Sequence, residues 1–189
     1  MALSELVAAD LSAYTNGRLP DNDDTQDLLD AALSAARRWC GWWVTPVQTG
    51  VTVEVDGPGG RVLSLPTLNL IALTAVSECG VALDVTKLDK SKRKGTVEKY
   101  PYGCWSSRAG AISVTMTHGF TEDEAADWRR AVLRLADMMD REERFTQRSG
   151  GDMIEKRIDD VTYKWAVGII SADERLRALF SNYRILPSP

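Results

Sequence analysis

The sequence predicts an α+β fold, a mainly α-helical bundle with an inserted small antiparallel β region. Apolar residues recur at helical spacing before Pro46 and again after Gly119, whereas apolar and polar residues alternate in much of the intervening stretch. A length of 189 residues fits one domain with a modest insertion. We expect N-terminal helices of the bundle in 1–46, a β-rich insertion in 47–118, the long helix in 119–148, and a C-terminal extended segment and helix in 149–189.

Two N-terminal helices are predicted from their apolar stripes. The first covers residues 3–14, and the second begins at the acidic stretch Asp21–Asp24 and runs into the tryptophans near Trp43. Carboxylates in a first turn complement the positive end of the helix dipole. A calcium loop is rejected, because Gln26 and Ala32 stand where such a loop needs glycine and glutamate.

The middle of the chain has the period of β-strands. Val51–Val55 alternate with polar residues, and Gly57–Gly60 lead into Val62–Leu65, a pattern that predicts a β-hairpin. Further strands are predicted at Leu70–Glu78, Ala82–Leu88, Thr96–Tyr100 and Ile112–Thr117.

The net charge of −4 is mild, and the basic residues are scattered apart from one cluster. The cluster is followed by Gly95 and lies between two strand-like stretches, so the tip of a solvated hairpin is favoured over a phosphate-contacting loop. It consists of Lys90, Lys92, Arg93 and Lys94.

Helical spacing returns in the last third of the chain. Thr121 and Glu124 form a capping-box pattern for a long helix with an apolar stripe and a mixed-charge opposite face. We expect a flexible loop at 147–152, an extended stretch at 154–167, and a final helix beginning at Ser171.

No catalytic, cofactor-binding or metal-binding residue is predicted. The single histidine, His118, has no accompanying nucleophile elbow, phosphate loop or second histidine. Cys40, Cys79 and Cys104 lack the Cys-x-x-Cys spacing, so we interpret all three as packing residues, reduced in a cytoplasm. An enzyme is not expected; a small hydrolase would need a deep polar pocket with clustered carboxylates.

Neither a membrane span nor an export signal is predicted. No apolar run reaches transmembrane length, and the N-terminus lacks a basic start followed by an apolar stretch. We therefore expect a soluble protein that is not exported.

Three segments resemble the head-to-tail adaptor proteins of tailed bacteriophages, of siphophage type, which are also called connector or head-completion proteins. They are Thr117–Thr121 leading into the long helix, Ile158–Tyr163, and Leu179–Arg184. The resemblance covers most of the chain, but the long β region from Val47 to His118 departs from the compact members.

The resemblance implies a virion structural protein of the phage neck, which acts in viral assembly and is found in the host cytoplasm before it joins the virion. It implies a homo-oligomeric, typically dodecameric ring that binds the portal protein and a stopper or tail protein and continues the DNA channel. Genomic DNA would pass without specific binding, in keeping with a mildly acidic chain, since strong phosphate neutralisation deepens DNA binding.

Two sets of contact residues are predicted if the resemblance holds. Subunit contacts are expected on the mixed-charge face of the long helix, at Arg129, Arg130, Arg134, Glu142 and Glu143. Portal docking is expected at the C-terminus, although the same residues equally fit a helix packed on its own core: Leu179, Phe180, Tyr183, Arg184, Ile185 and Leu186.

One other class of binding function stays open from the sequence. A sequence-tolerant nucleic-acid-binding module would use the Lys90–Lys94 hairpin for phosphate contacts. Tyr100, Tyr102 and Trp105 would then stack on bases.

Overall fold

The computed structural model describes residues 6–148 and 168–185. This part of the chain contains five helices and seven strands, and the strands form two antiparallel sheets. The expectation of a mainly α-helical bundle with a small β insertion is therefore wrong, and the fold is a sheet-rich α+β fold. The physical reason is that the central segment buries an apolar cluster of its own between its strands.

The described residues fall into two compact units. The helical unit combines residues up to Gly41 with the segment Glu122–Arg184, and the β unit comprises mainly Trp42–Thr121. The helices are α1 (Ala8–Tyr14), α2 (Asp23–Cys40), α3 (Ala126–Arg148), α4 (168–172) and α5 (Glu174–Ser181).

Helix α2 has clear start and stop signals. The Asn22 side chain accepts a hydrogen bond from the Thr25 backbone N–H at 3.0 Å, which caps the N-terminus. Gly41 ends the helix with a φ of 81°, a left-handed conformation that glycine adopts without steric cost.

Two helix starts differ from the sequence prediction. Helix α3 begins at Ala126 after a turn, later than the start predicted at Thr121. Helix α5 is capped by Asp173, whose carboxylate accepts from the Leu176 backbone N–H at 2.9 Å, so the predicted start at Ser171 is wrong. The predicted extended segment and most of the preceding loop lie outside the described residues.

One apolar core holds the helical unit together. Helices α1, α2, α3 and α5 contribute fully buried side chains to it, as their helical spacing predicts. The largest are Leu11, Leu29, Trp128, Leu135, Met139 and Phe180.

Two sheets make up the β unit. The strands are β1 (Gln48–Val55), β2 (Val62–Ser64), β3 (Leu70–Glu78), β4 (Val81–Leu83), β5 (Leu88–Ser91), β6 (Thr96–Lys99) and β7 (Ile112–His118). One sheet has the order β1-β7-β3-β4 and the other β2-β6-β5. Their shared core includes Leu63, Leu70, Val97, Trp105, Ile112, Val114 and Met116.

The predicted hairpin between β1 and β2 is wrong, because the two strands lie in different sheets. Strand β1 pairs with β7, and β2 pairs with β6. The glycine-rich connection bonds to a distant loop instead: Gly57 N–H donates to the Arg108 carbonyl and Gly59 N–H to the Ser106 carbonyl, each at 3.0 Å. A side chain at Gly57 would meet the Ser106 carbonyl at 2.0 Å, so the close approach needs glycine.

The predicted basic hairpin is confirmed. Strands β5 and β6 pair antiparallel, and the turn between them carries Lys92, Arg93 and Lys94, all exposed. Lys90 is exposed on β5 beside that turn.

Candidate subunit interface

A row of arginines follows the solvent side of α3. Successive residues in a helix turn by about 100°, so spacings of four, seven, eleven and fourteen residues keep side chains on one face. We call this face the arginine stripe: Arg130, Arg134, Arg141 and Arg144, with Asp137 among them. The buried residues of α3 lie on the opposite face.

On one side of the stripe, Arg18 anchors two carboxylates of α3. Its guanidinium donates to Asp137 and to Asp140, and the hydrogen bond with Asp140 is the main cause that raises the pKa of Arg18. The same carboxylates pair with Arg141 at 3.0 Å and with Arg144 at 2.9 Å. Three guanidinium groups therefore face two carboxylates, which leaves one positive charge in excess.

The exposure of these groups decides which charge faces solvent. The side chains of Asp137 and Asp140 are 13% exposed, whereas Arg141 is 66% and Arg144 51% exposed. The surface of the stripe is thus cationic, because Arg141 and Arg144 are exposed outside the two shielded carboxylates. A guanidinium has five N–H donors, so each exposed arginine can donate hydrogen bonds to a second carboxylate.

On the other side of the stripe, Arg134 supports the start of α5. It donates to the Asp173 carboxylate at 2.6 Å, and Asp173 caps α5. The hydrogen bond from the Leu176 backbone N–H, followed by the one from Arg134, lowers the pKa of Asp173 despite the opposing effect of burial. Arg134 therefore has a structural role within the helical unit.

The five residues predicted for subunit contacts do not share one face. Arg130 and Arg134 lie on the stripe, whereas Arg129 is turned by about 100° from Arg130 and pairs with Glu122 and, at 3.7 Å, with Asp10. Glu142 and Glu143 are turned by about 100° and 200° from Arg141. A subunit contact at all five stays a prediction. Sequence reasoning missed Arg141 and Arg144, which the spacing of the stripe signals.

A shallow groove of about 410 Å³ runs beside the stripe. Tyr14 of α1 and Met138 of α3 line it, together with Arg134, Asp137 and Arg141. Tyr14 and Met138 are half-buried, so part of each faces the groove. Tyrosine, methionine and arginine are the residue types that protein interfaces favour, which makes this groove the candidate contact surface.

Helix α2 presents the opposite charge. Asp23, Asp27 and Asp30 are exposed and share one face at spacings of four and three residues. No lysine or arginine occurs from Leu19 to Ala36, so the carboxylates have no cation on their own helix nearby. Like charges at these spacings repel each other by a few tenths of a kcal/mol per pair, roughly. We call this face the acidic stripe.

Some residues predicted for portal docking belong to the core of the helical unit. Phe180 is fully buried against Trp128, with ring centroids 5.2 Å apart, and Tyr183 is 9% exposed. Arg184 is exposed and lies over the Trp39 ring at 4.9 Å.

The remaining docking candidates are more accessible. Leu179 and Ile185 are half-buried, and Leu186 lies outside the described residues. Portal docking stays a prediction, with Leu179 and Arg184 as its accessible members in the helical unit.

The aromatic residues near the basic hairpin are not equivalent. Tyr100 and Tyr102 are 64% and 81% exposed, but Trp105 is 2% exposed with Lys99 Nζ 4.7 Å from its ring centroid. Trp105 is a core residue and is not placed to stack on a base, which corrects its expected role.

His118 lies buried at the end of β7, and its ring centroid is 6.3 Å from that of Trp42. Burial lowers its pKa. Of the three cysteines, Cys40 is buried as expected, whereas Cys79 and Cys104 are exposed, so the packing role is wrong for those two.

The described residues contain neither a metal-binding cluster nor a membrane-spanning helix. No group of three or more histidine, cysteine or acidic side chains is placed to hold a metal ion there. None of the described helices has the length and apolar character needed to cross a membrane.

No protein-family model matches the chain, and no curated protein matches it. Among solved structures, the neck of an empty GTA particle computed with C6 symmetry has a similar chain, with a TM-score of 0.61 and 14% identity over 100% of this chain and 95% of that chain. The neck of a native GTA particle computed with C12 symmetry gives 0.54 and 15%, over 100% and 98%. GTA stands for gene transfer agent, a phage-like particle. The similarity to a head-to-tail neck protein is thereby confirmed at the level of the fold.

Proposed function

We propose that the chain is a structural subunit of a phage-type neck. In this proposal, copies form a ring at the portal vertex of the head, the ring binds a stopper or tail protein on its other side, and its opening continues the DNA channel. The chain acts through fitted surfaces and not through a reactive group.

The observation that carries the proposal is the likeness to two neck structures over the full length of this chain. A fold shared over the whole chain is a stronger basis than a shared motif, although function depends on the surfaces that a fold carries. The C12 symmetry of one neck is consistent with a dodecameric ring. The arginine stripe and the groove beside it supply a surface of the kind that ring contacts need.

A direct experiment mixes the purified chain with the portal protein encoded by the same genome and images the product by electron microscopy. The proposal expects a ring of this chain added to one end of the portal assembly. Portal assemblies that stay bare at saturating chain concentration would contradict it. Arg184→Glu and Leu179→Asp in the same assay test the C-terminal docking surface, with the exposed Tyr102→Ser as a control.

A nucleic-acid-binding module is the second candidate, because four exposed cations surround one hairpin turn. Phosphate contacts by that hairpin predict DNA binding that weakens steeply with salt. Lys92→Glu with Arg93→Glu should abolish such binding. If the unmodified chain does not bind DNA at low salt, this candidate is rejected and the neck proposal is unaffected.

A further inference from the structure

We infer that neighbouring copies of this chain join by placing the acidic stripe of one copy against the arginine stripe and groove of the next. The inference rests on the proposed function and deepens it by naming the two surfaces of the ring contact.

A closed ring of identical subunits needs two different, complementary surfaces on each subunit. The helical unit carries two surfaces of opposite charge on two different helices. Helix α3 exposes Arg130, Arg141 and Arg144, and α2 exposes Asp23, Asp27 and Asp30. Each stripe lies on the face of its helix opposite the buried residues, so neither is used in the core.

The acidic stripe carries more carboxylates than the helix dipole can stabilise. Asp23 and Asp24 lie in the first turn, where they are favourable with the helix dipole. Asp27 and Asp30 lie beyond that turn and gain little from the dipole, while they repel each other and Asp23. The Gln26 side-chain amide donates to the Asp30 carboxylate at 2.9 Å, and this bond does not neutralise the charge.

The groove gives the contact an apolar part as well as charge. Tyr14 and Met138 line the groove together with Arg134 and Arg141, so a helix laid along it would cover both. Interface centres combine such aromatic and thioether side chains with arginine, and a charged rim selects the partner and its register. A second copy of α2, with carboxylates along one face, matches the cationic part.

Two pairs of charge-reversed variants test the contact. The basic variant carries Asp27→Lys and Asp30→Lys, which raises the net charge from −4 by four to zero. The acidic variant carries Arg130→Glu and Arg141→Glu, which lowers it by four to −8. Arg134 is left unchanged because it supports the cap of α5.

Control variants reverse the same number of exposed charges in the β unit. Glu54→Lys with Asp89→Lys gives net zero, and Lys92→Glu with Arg93→Glu gives −8. Circular dichroism melting of all variants checks that each one folds.

Self-association is measured by sedimentation velocity on the chain alone. The unmodified chain should self-associate, and its association constant should fall by about tenfold or more between roughly 0.05 and 0.5 M salt, because screening shortens the range of the attraction. Each stripe variant alone should stay monomeric, the two stripe variants mixed in equal amounts should associate again, and the controls should behave like the unmodified chain.

Three results would overturn the contact: an unmodified chain that is monomeric at every concentration, stripe variants that associate normally, or a mixture that fails to recover. None of these concerns portal binding. A chain that forms portal-bound rings but ignores the charge reversals keeps the proposed function and loses this inference.

Discussion

Tyr183 donates a hydrogen bond from its hydroxyl to the Asp127 carboxylate, which ties the second residue after α5 to the first turn of α3. The Tyr183 ring also contacts Trp128, with centroids 5.6 Å apart. Tyr183, which the sequence predicts to dock on another protein, thus links two helices of its own unit.

Removal of this hydroxyl should destabilise the protein. Tyr183→Phe leaves the ring contact but takes away a hydrogen bond to a carboxylate, a loss of about 1.5–3 kcal/mol in the free energy of unfolding. Denaturant titration measures it. Tyr102→Phe removes a hydroxyl from a side chain that is 81% exposed and should change stability by less than about 0.5 kcal/mol. Equal effects of the two changes would contradict the role of the Tyr183–Asp127 bond.

The same bond predicts a dependence on alkaline pH. Burial, and then the hydrogen bond to Asp127, raises the pKa of Tyr183. An unfolded phenol ionises near pH 10, roughly, so this contribution to stability is fully present below that pH and is lost as the pH rises through the folded value. A phenolate absorbance titration should therefore contain a late step that belongs to Tyr183. Tyr183→Phe should remove that step, and a titration curve that loses no late component in this variant would contradict the prediction.

Thiol reactivity should separate the three cysteines. Burial raises the pKa of Cys40 to about 12, and its Sγ lies 3.4 Å from the Phe180 carbonyl oxygen in the core. Cys79 and Cys104 are exposed. A thiol reagent should therefore label two groups in the native protein and a third only after denaturation. In Cys40→Ser the native count should stay at two and the late group should vanish; three fast thiols in the unmodified chain would show that Cys40 is accessible.

The glycine-rich connection after β1 offers a matched pair of substitutions. A methyl group at Gly57 would lie 2.0 Å from the Ser106 carbonyl oxygen, whereas one at Gly60 meets no atom within 4 Å. Gly57→Ala should cost about 1–3 kcal/mol or more, because backbone must move. Gly60→Ala should be neutral or slightly stabilising. Thermal melting that ranks the two variants in the opposite order would refute the close approach.

Adjacent residues of α5 provide a test of core against surface. Phe180→Ala empties a fully buried site and should lower the free energy of unfolding by about 3–5 kcal/mol. Leu179→Ala truncates a half-buried side chain and should cost less. If both substitutions lower the free energy of unfolding by the same small amount, Phe180 is not a core residue, and the prediction that it docks on the portal is favoured again.

Local signals in the sequence were sufficient for several elements but not for their partners. The single strand predicted at Ala82–Leu88 is wrong, because β4 ends at Leu83 and β5 begins at Leu88. The helical stripe of α2 and the alternation of β7 predict one helix and one strand, and the turn at Gly95 predicts the basic hairpin. The Gly57–Gly60 turn signal is equally clear, yet it does not specify that β1 pairs with β7, about sixty residues further along. That pairing is decided by which apolar faces close the core.

At the candidate interface, too, the sequence does not specify which distant residues pair with the arginine stripe. Mixed charges on α3 are visible in the sequence, but Arg18 reaches Asp137 across 119 residues and changes which charges face outward. The predicted helix starts are wrong for a different reason. Several residues in a row can cap a helix, and Asp173 caps α5 where Ser171 had the better capping-box pattern.

The central claim is that this chain is a ring subunit of a neck. Cryo-electron microscopy of the neck of the particle encoded by the same genome tests it most directly. The account predicts a closed ring of this fold next to the portal, with α2 of each copy against α3 of its neighbour. A neck map of sufficient resolution in which this fold is absent would contradict the account.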